Sequence, residues 1–300
     1  MSAAIKTSKL TKYYGRDRGI ANLSLSVSEG EIFGFLGPNG AGKSTTIATL
    51  MDFIHPTKGS ASIFGLDSVR DSVAIKAQVG YLAGDFNLYG KLTGEANLEY
   101  IGNLRGDYNA AEIMHLADEL EADLSRPFRE LSRGNKQKIG LIAALMHKPK
   151  LLILDEPTSG LDPLIQQIFY SLLENFKKAG GTIFMSSHIL PEVERLCDRV
   201  GIIREGKLID VIDLPTLHRQ TLRRFEVHFT KHVAAELFEN IKGIEHVKVQ
   251  GNVLHCSMVG VVDPLIKTLA RYPVIDIISH QPDLEEVFLR LYHDGEKKHA

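Results

Sequence analysis

The run Gly37-Pro38-Asn39-Gly40-Ala41-Gly42-Lys43-Ser44 satisfies the pattern G-x-x-x-x-G-K-[ST], with Thr45 next. Glycines let a backbone wrap closely around a polyphosphate, so that successive N–H groups and the positive end of the following helix face the anion. Lys43 then reaches the β and γ phosphates, and Ser44 offers its hydroxyl to Mg²⁺. A glycine turn before a buried helix would explain the glycines but not Lys followed by Ser. Further along, Leu151-Leu152-Ile153-Leu154-Asp155-Glu156-Pro157 is an apolar run ending in two carboxylates. Asp155 is placed to hold the metal through water. Glu156, one residue on, is placed to orient and deprotonate an attacking water, which points to hydrolysis of a nucleotide rather than phosphoryl transfer to a hydroxyl.

These groups need strands that deliver them to one edge. Over the first 210 residues, Gly and Pro punctuate short apolar runs that alternate with longer amphipathic ones, the pattern of a largely parallel sheet covered by helices. The clearest strands are Glu31 to Leu36, Val79 to Leu82, Leu151 to Leu154 and Thr182 to Ser186, apolar throughout as doubly covered strands must be. Thr45 to Ile54 reads as an apolar helix after the glycine loop. Asp162 to Lys178 reads as an amphipathic one, stopped by Gly180 and Gly181. Residues 200 to 212 predict a hairpin turning at Glu205 and Gly206.

At Leu131-Ser132-Arg133-Gly134-Asn135-Lys136-Gln137-Lys138 a polar turn opens an amphipathic helix through His147. Together with Ser159-Gly160-Leu161-Asp162 and the lone His188 after Thr182 to Ser186, this set resembles the nucleotide-binding subunit of ATP-binding cassette transporters, over residues 1 to about 212 and in that family's order. The resemblance implies a P-loop NTPase fold, ATP with Mg²⁺, and two such domains docked head to tail. Ser132 and the amides near Gly134 would then meet the γ phosphate of a partner's ATP, and His188 would contact the γ phosphate. Tyr14, favoured over Tyr13 because Gly15 follows it, fits the family's aromatic platform for adenine. A separate membrane subunit is implied, with this chain on the cytoplasmic face of the plasma membrane. The dimer would form from two copies or from a copy and a paralogue.

Two departures stand out. Where the family signature usually reads Leu-Ser-Gly-Gly-Gln, Arg133 takes a glycine position and Asn135 the glutamine. After Gly80-Tyr81-Leu82, where most relatives carry a proline and a glutamine that touches metal and water, come Ala83, Gly84 and Asp85. Asp85 is the candidate replacement at the metal. Leu88-Tyr89 with Leu92-Thr93, and the ending Leu284-Glu285-Glu286-Val287-Phe288-Leu289, resemble the bacterial drug-resistance and toxin exporter branch. Export is the expected direction. The competing reading is a soluble cassette ATPase acting on ribosomes or nucleic acid. A regulatory nucleotide-binding module without turnover is opposed by Glu156.

The composition agrees with such a chain. Of 300 residues, 44% are hydrophobic and 24% charged, with a net charge of −2, which excludes a disordered or fibrous protein. Lys and Arg number 35 against 37 Asp and Glu, so no basic excess favours nucleic acid. Cys197 and Cys256 form no C-x-x-C pair and imply a reducing compartment. Neither an amino-terminal apolar leader nor a membrane span is expected. The apolar runs give way around Leu214 and Pro215 to a polar stretch, His218 to Arg224, which sets an expected division into a cassette domain, 1–214, and a small α+β domain, 215–300. There, a strand at Phe225 to Phe229, a helix at Val233 to Ile241, a fold-back over Val247 to Met258, a helix at Asp263 to Arg271, a strand at Val274 to Ser279 and a helix at Leu284 to Tyr292 suggest a ferredoxin-like order.

Overall fold

A computed structural model describes residues 2–220, 223–258 and 261–280. From the amino terminus, β1 (Ala3–Tyr14), β2 (Asp17–Leu23) and β3 (Ser26–Ser28) precede β4 (Ile32–Leu36), α1 (Lys43–Leu50), β5 (Lys58–Ile63) and β6 (Leu66–Asp67). Next come α2 (Ser72–Gln78), β7 (Val79–Leu82), α3 (Gly94–Arg105), α4 (Ala110–Glu119) and α5 (Arg133–Leu145). β8 (Leu151–Asp155), α6 (Pro163–Lys178), β9 (Thr182–Ser187), α7 (Leu190–Leu196), β10 (Arg199–Arg204) and β11 (Lys207–Asp213) follow.

Every residue of β4, β8 and β9 is buried, as apolar runs covered on both faces require. They lie side by side in a sheet ordered β11-β10-β4-β9-β8-β7, parallel from β10 to β7. In this register Leu36 lies beside Ser187 and Asp155 beside Ser186, so the three chains leave the sheet at one level. The carboxyl ends of neighbouring parallel strands are where open α/β sheets bind ligands. The hairpin from β10 to β11 turns at Glu205 and Gly206, both at positive φ (48° and 73°) as a tight hairpin turn demands.

A second, antiparallel sheet, ordered β2-β1-β5-β6 with β3 also on β1, carries Tyr14 and the segment through Gly19. Its Ile5, Leu10, Ile20 and Ile63 share one core with Ile47 and Leu50 of α1 and with Phe33, Phe35, Ile153 and Phe184 of the parallel sheet. Burying each such side chain contributes roughly 1.5–3 kcal/mol, and Ala41 of the glycine loop belongs to the same core. The helix expected over Thr45 to Ile54 stops at Leu50, because Asp52 turns left-handed (φ 52°) and the chain leaves the helical path before Pro56.

The chain divides into two compact units, Met1–Ile212 and Asp213–Ala300. The second holds α8 (Leu214–Gln220), β12 (Arg223–Phe229), α9 (Glu236–Glu239), β13 (Ile244–Gln250), β14 (Val253–Met258), α10 (Asp263–Leu269) and β15 (Val274–His280). Its sheet is antiparallel in the order β13-β14-β12-β15. Phe225, Val227, Phe229, Leu254 and Met258 form its core with Phe238 and Leu265. The helix expected over Val233 to Ile241 shrinks to one turn, since Ala235 supplies no capping side chain and only Phe238 of that turn is buried. Residues 284–292, expected as a final helix, lie outside the described residues.

Candidate nucleotide site

The loop after β4 folds around the side chain that follows it. Gly42 caps α1 at φ 107°, a conformation closed to residues with a Cβ, and so turns Lys43 into the first helical turn. Lys43 is buried, and its Nζ donates to the carbonyls of Gly37 (2.8 Å) and Pro38 (3.2 Å). The same ammonium lies 3.3 Å from Oε1 of Glu156. Glu156, the first residue past β8, has a left-handed backbone (φ 49°) held by its N–H donating to the carbonyl (3.2 Å) and hydroxyl (3.1 Å) of Ser186. That kink brings its Oε1 within 3.2 Å of Nδ1 of His188, the first residue past β9. Lys43 and His188 therefore meet at one carboxylate oxygen of Glu156.

Asp155 is buried, and its Oδ1 accepts the Ser186 hydroxyl. Its charge, after burial, is the second cause that pushes the Tyr81 phenol up to about 12. The remaining oxygen, Oδ2, faces the segment after β7: a Cβ built on Gly84 would stand 3.5 Å from it. Asp85 itself is exposed.

A pocket of about 260 Å³ gathers Tyr14, Asn39, Gly40, Gly42, Lys43, Ser44, Thr45 and Glu156. Tyr14, and not Tyr13, lines it, with the Lys12 ammonium 5.5 Å from the ring centre. Gly37 and Pro38 contribute through the carbonyls on Lys43, and Ala41 is buried beneath the loop. Arg18 and Gly19 also line the pocket and were not foreseen, because they arrive on β2 of a sheet that the sequence pattern does not announce. A larger cavity of about 480 Å³, lined by Phe64, Leu116, Leu172 and Phe176, opens at the amino ends of the strands, away from these groups.

A family model described as ABC transporter matches residues 20–159. The chain is 35% identical to the bacitracin transport ATP-binding protein BcrA of Bacillus licheniformis, over 98% of this chain and 99% of that one. This chain belongs to the ABC transporter ATP-binding subunits. A solved ATP binding subunit of an ABC transporter superposes with a TM-score of 0.66 at 30% identity, covering 72% of this chain and 92% of that one. A dimeric bacterial ABC transporter cassette superposes at 0.65 with 23% identity, over 70% and 98%. The protein is thus an ATPase built on the cassette fold. No helix of the described residues is long and apolar enough to cross a membrane.

The ABC ATPase carries its signature turn apart from this pocket. Ser132 caps α5, its hydroxyl accepting from the Asn135 N–H (3.2 Å), and neither Ser132 nor Gly134 lines the pocket. Arg133, at a glycine position of the signature, donates to the Ser159 hydroxyl (2.7 Å). Gly134 lies so close to the Gly160 carbonyl that a Cβ would stand 2.7 Å from it. Gln137 donates to the carbonyl of Pro157 (2.9 Å). Asn135 instead turns away and exchanges hydrogen bonds with the backbone of Asp123 (2.6 and 2.8 Å). The start of α5 is therefore fastened to the segment that leaves Glu156, and Asp162 fixes the far end of that segment by accepting from the Leu164 and Ile165 N–H groups (3.0 and 3.1 Å). Gln137 and Ser186 escaped the sequence reading because a mid-helix glutamine and a strand-end serine are common without a role.

Proposed function

We propose that the ABC ATPase hydrolyses MgATP at an interface of two cassettes, either two copies of this chain or one copy and a paralogue, and that this drives a separate membrane subunit in export. The observation that carries the reading is the meeting of Lys43, Glu156 and His188 at one carboxylate oxygen beside the glycine loop. In this assignment Lys43 and N–H groups of the loop between Asn39 and Thr45 hold the triphosphate, and Tyr14 stacks on the base. Glu156 accepts the proton of the attacking water, and His188 holds Glu156 and faces the γ phosphate. Ser132 and Gly134 serve the partner's nucleotide through the amino end of α5.

The Ser44 hydroxyl and the Asp155 carboxylate are hard oxygen donors suited to Mg²⁺, which usually takes only one or two carboxylates beside substrate phosphates. Such an ion neutralises charge on the phosphates during transfer. Asp85 is assigned to the same neighbourhood on the strength of Gly84 lying against Asp155.

Likeness to BcrA over nearly the whole chain supports export and a place on the cytoplasmic face of the plasma membrane. The dimeric form of a cassette with the same fold supports the pairing. We assign residues 1–214 to the ATPase and 215–300 to an accessory domain, whose split β-α-β order is ferredoxin-like. Capture of the tagged chain from solubilised membranes tests the coupling. Recovery with a polytopic membrane protein is expected, and recovery with ribosomes alone would overturn it.

A further inference from the structure

His188 is half exposed, so packing around its ring does not hold it against Glu156. What fixes it is the backbone on either side. The carbonyl of Ser187 accepts the N–H of Gly37 (3.3 Å), which ties the end of β9 to the first residue of the glycine loop. The Ser187 hydroxyl accepts the N–H of Ile189 (3.0 Å), closing a tight turn around His188. A serine hydroxyl that accepts in this way still has one proton to place. It places it on Oε2 of Glu192, 2.7 Å away in the first turn of α7.

Ser187 and Glu192 are both almost completely buried (2% and 4% exposed), so water is not at hand to replace either partner. Without the carboxyl acceptor, the buried hydroxyl is left with an unsatisfied donor and turns away from the Ile189 N–H. A carboxyl group in such a place is itself unfavourable. Burial pushes its pKa up, against the hydrogen bond from the Ser187 hydroxyl, which pulls it down. Its other oxygen, Oε1, is buried without a hydrogen-bond partner among the described residues. Native structures retain few such orphans, and each calls for an explanation.

We propose that Glu192 is a positioning residue for hydrolysis: by holding the Ser187 hydroxyl it sets the turn that brings His188 to Glu156. The proposal rests on the assignment of His188 to the active site. Glu192 is not among the residues that line the nucleotide pocket, so its loss should leave nucleotide binding in place and act on turnover.

Steady-state ATPase kinetics and nucleotide binding, measured on the full chain, test this in Glu192→Ala, Glu192→Gln, Ser187→Ala, the Ser187→Ala/Glu192→Ala double variant and His188→Ala. Glu192→Ala and Ser187→Ala should each lower kcat about tenfold, as expected for a misplaced reacting group, with nucleotide affinity within twofold of wild type. The double variant should be no worse than either single one, because both remove the same link. Glu192→Gln should recover most of the turnover, since its amide oxygen still accepts from Ser187. Wild-type kcat in Glu192→Ala, equal losses of affinity and turnover, or multiplying losses in the double variant would each overturn the proposal. If Glu192→Ala does not fold, Ser187→Ala and Glu192→Gln decide it. Should His188→Ala turn over normally, the assignment of His188 itself falls and the proposal with it. Loss of turnover in His188→Ala but not in Glu192→Ala would overturn the proposal alone.

Discussion

At the edge of the parallel sheet, one chain's own strands bring Lys43, Glu156 and His188 together within 3.3 Å beside a formed pocket. At the start of α5, Ser132 and Gly134 are just as firmly built, yet they line no part of that pocket and are fastened instead to Ser159 and Gly160 through Arg133 and close backbone packing. On the proposed function, the first region is the reacting centre, assembled within one chain, and the second is an anion site at a helix start that serves the nucleotide of another cassette. Changes in the first region should therefore act on binding or chemistry in any state, whereas changes in the second should act only when two cassettes meet.

The sharpest test of this contrast is Glu156→Gln. The amide nearly copies the carboxylate in shape, but it cannot take a proton from water, and loss of a general base lowers turnover about 10²-fold or more. ATP binding should survive and paired cassettes should accumulate, since the γ phosphate that joins them is no longer cleaved. Size-exclusion chromatography with MgATP reads this directly. A strictly monomeric variant with normal turnover would break the assignment.

Lys43→Ala comes next. It removes a buried ammonium that makes hydrogen bonds to two loop carbonyls and an ion pair with Glu156. Hydrogen bonds to a charged group are worth about 1.5–3 kcal/mol, or a roughly tenfold to hundredfold weaker nucleotide. The rise in melting temperature on adding MgATP should shrink accordingly. An unchanged rise would show that the glycine loop is not where ATP binds.

The difference between the two regions also decides what could be read in the sequence. The placement of Asp155, Glu156 and His188 was legible because they follow uninterrupted apolar runs: Val79 to Leu82 appears as a strand with the bounds expected, and β8 and β9 each extend by one residue to carry Asp155 and Ser187. The antiparallel sheet was not. β1 has register shifts in its pairing with β2, β3 and β5, and Lys9 is left-handed (φ 46°), so its buried positions do not alternate. Arg18 and Gly19, which β2 brings to the pocket, were hidden with it. Likewise, the sequence shows Arg133 and Asn135 as departures from a pattern, but only the fold shows one reaching Ser159 and the other turning to Asp123.

Gly134→Ala probes the second region. The added Cβ would stand 2.7 Å from the Gly160 carbonyl, a contact that forces α5 away from the segment leaving Glu156. Overpacking of this kind typically disturbs a structure by about 1–3 kcal/mol. Nucleotide binding by the single cassette should stay at the wild-type level, while turnover at saturating ATP falls about tenfold. Equal loss of ATP binding by the monomer would erase the distinction between the regions.

The smallest effect is expected at Asp85, which separates a residue at the centre from one merely near it. Gly84 places this segment against Asp155, but Asp85 is exposed and shorter in reach than a glutamine would be. Its carboxylate has an advantage in charge, because a hard cation prefers an anionic oxygen to an amide. It has a disadvantage as well, since it must approach Asp155, Glu156 and a triphosphate of the same sign. With these two opposed, Asp85→Ala should lower turnover only about threefold, less than 1 kcal/mol. It should also raise the Mg²⁺ concentration needed for half-maximal rate while leaving ATP affinity unchanged. Mg²⁺ titrations of wild type and variant that superimpose would remove Asp85 from the site, and Asp155 with Ser44 would then be the side chains that serve the metal.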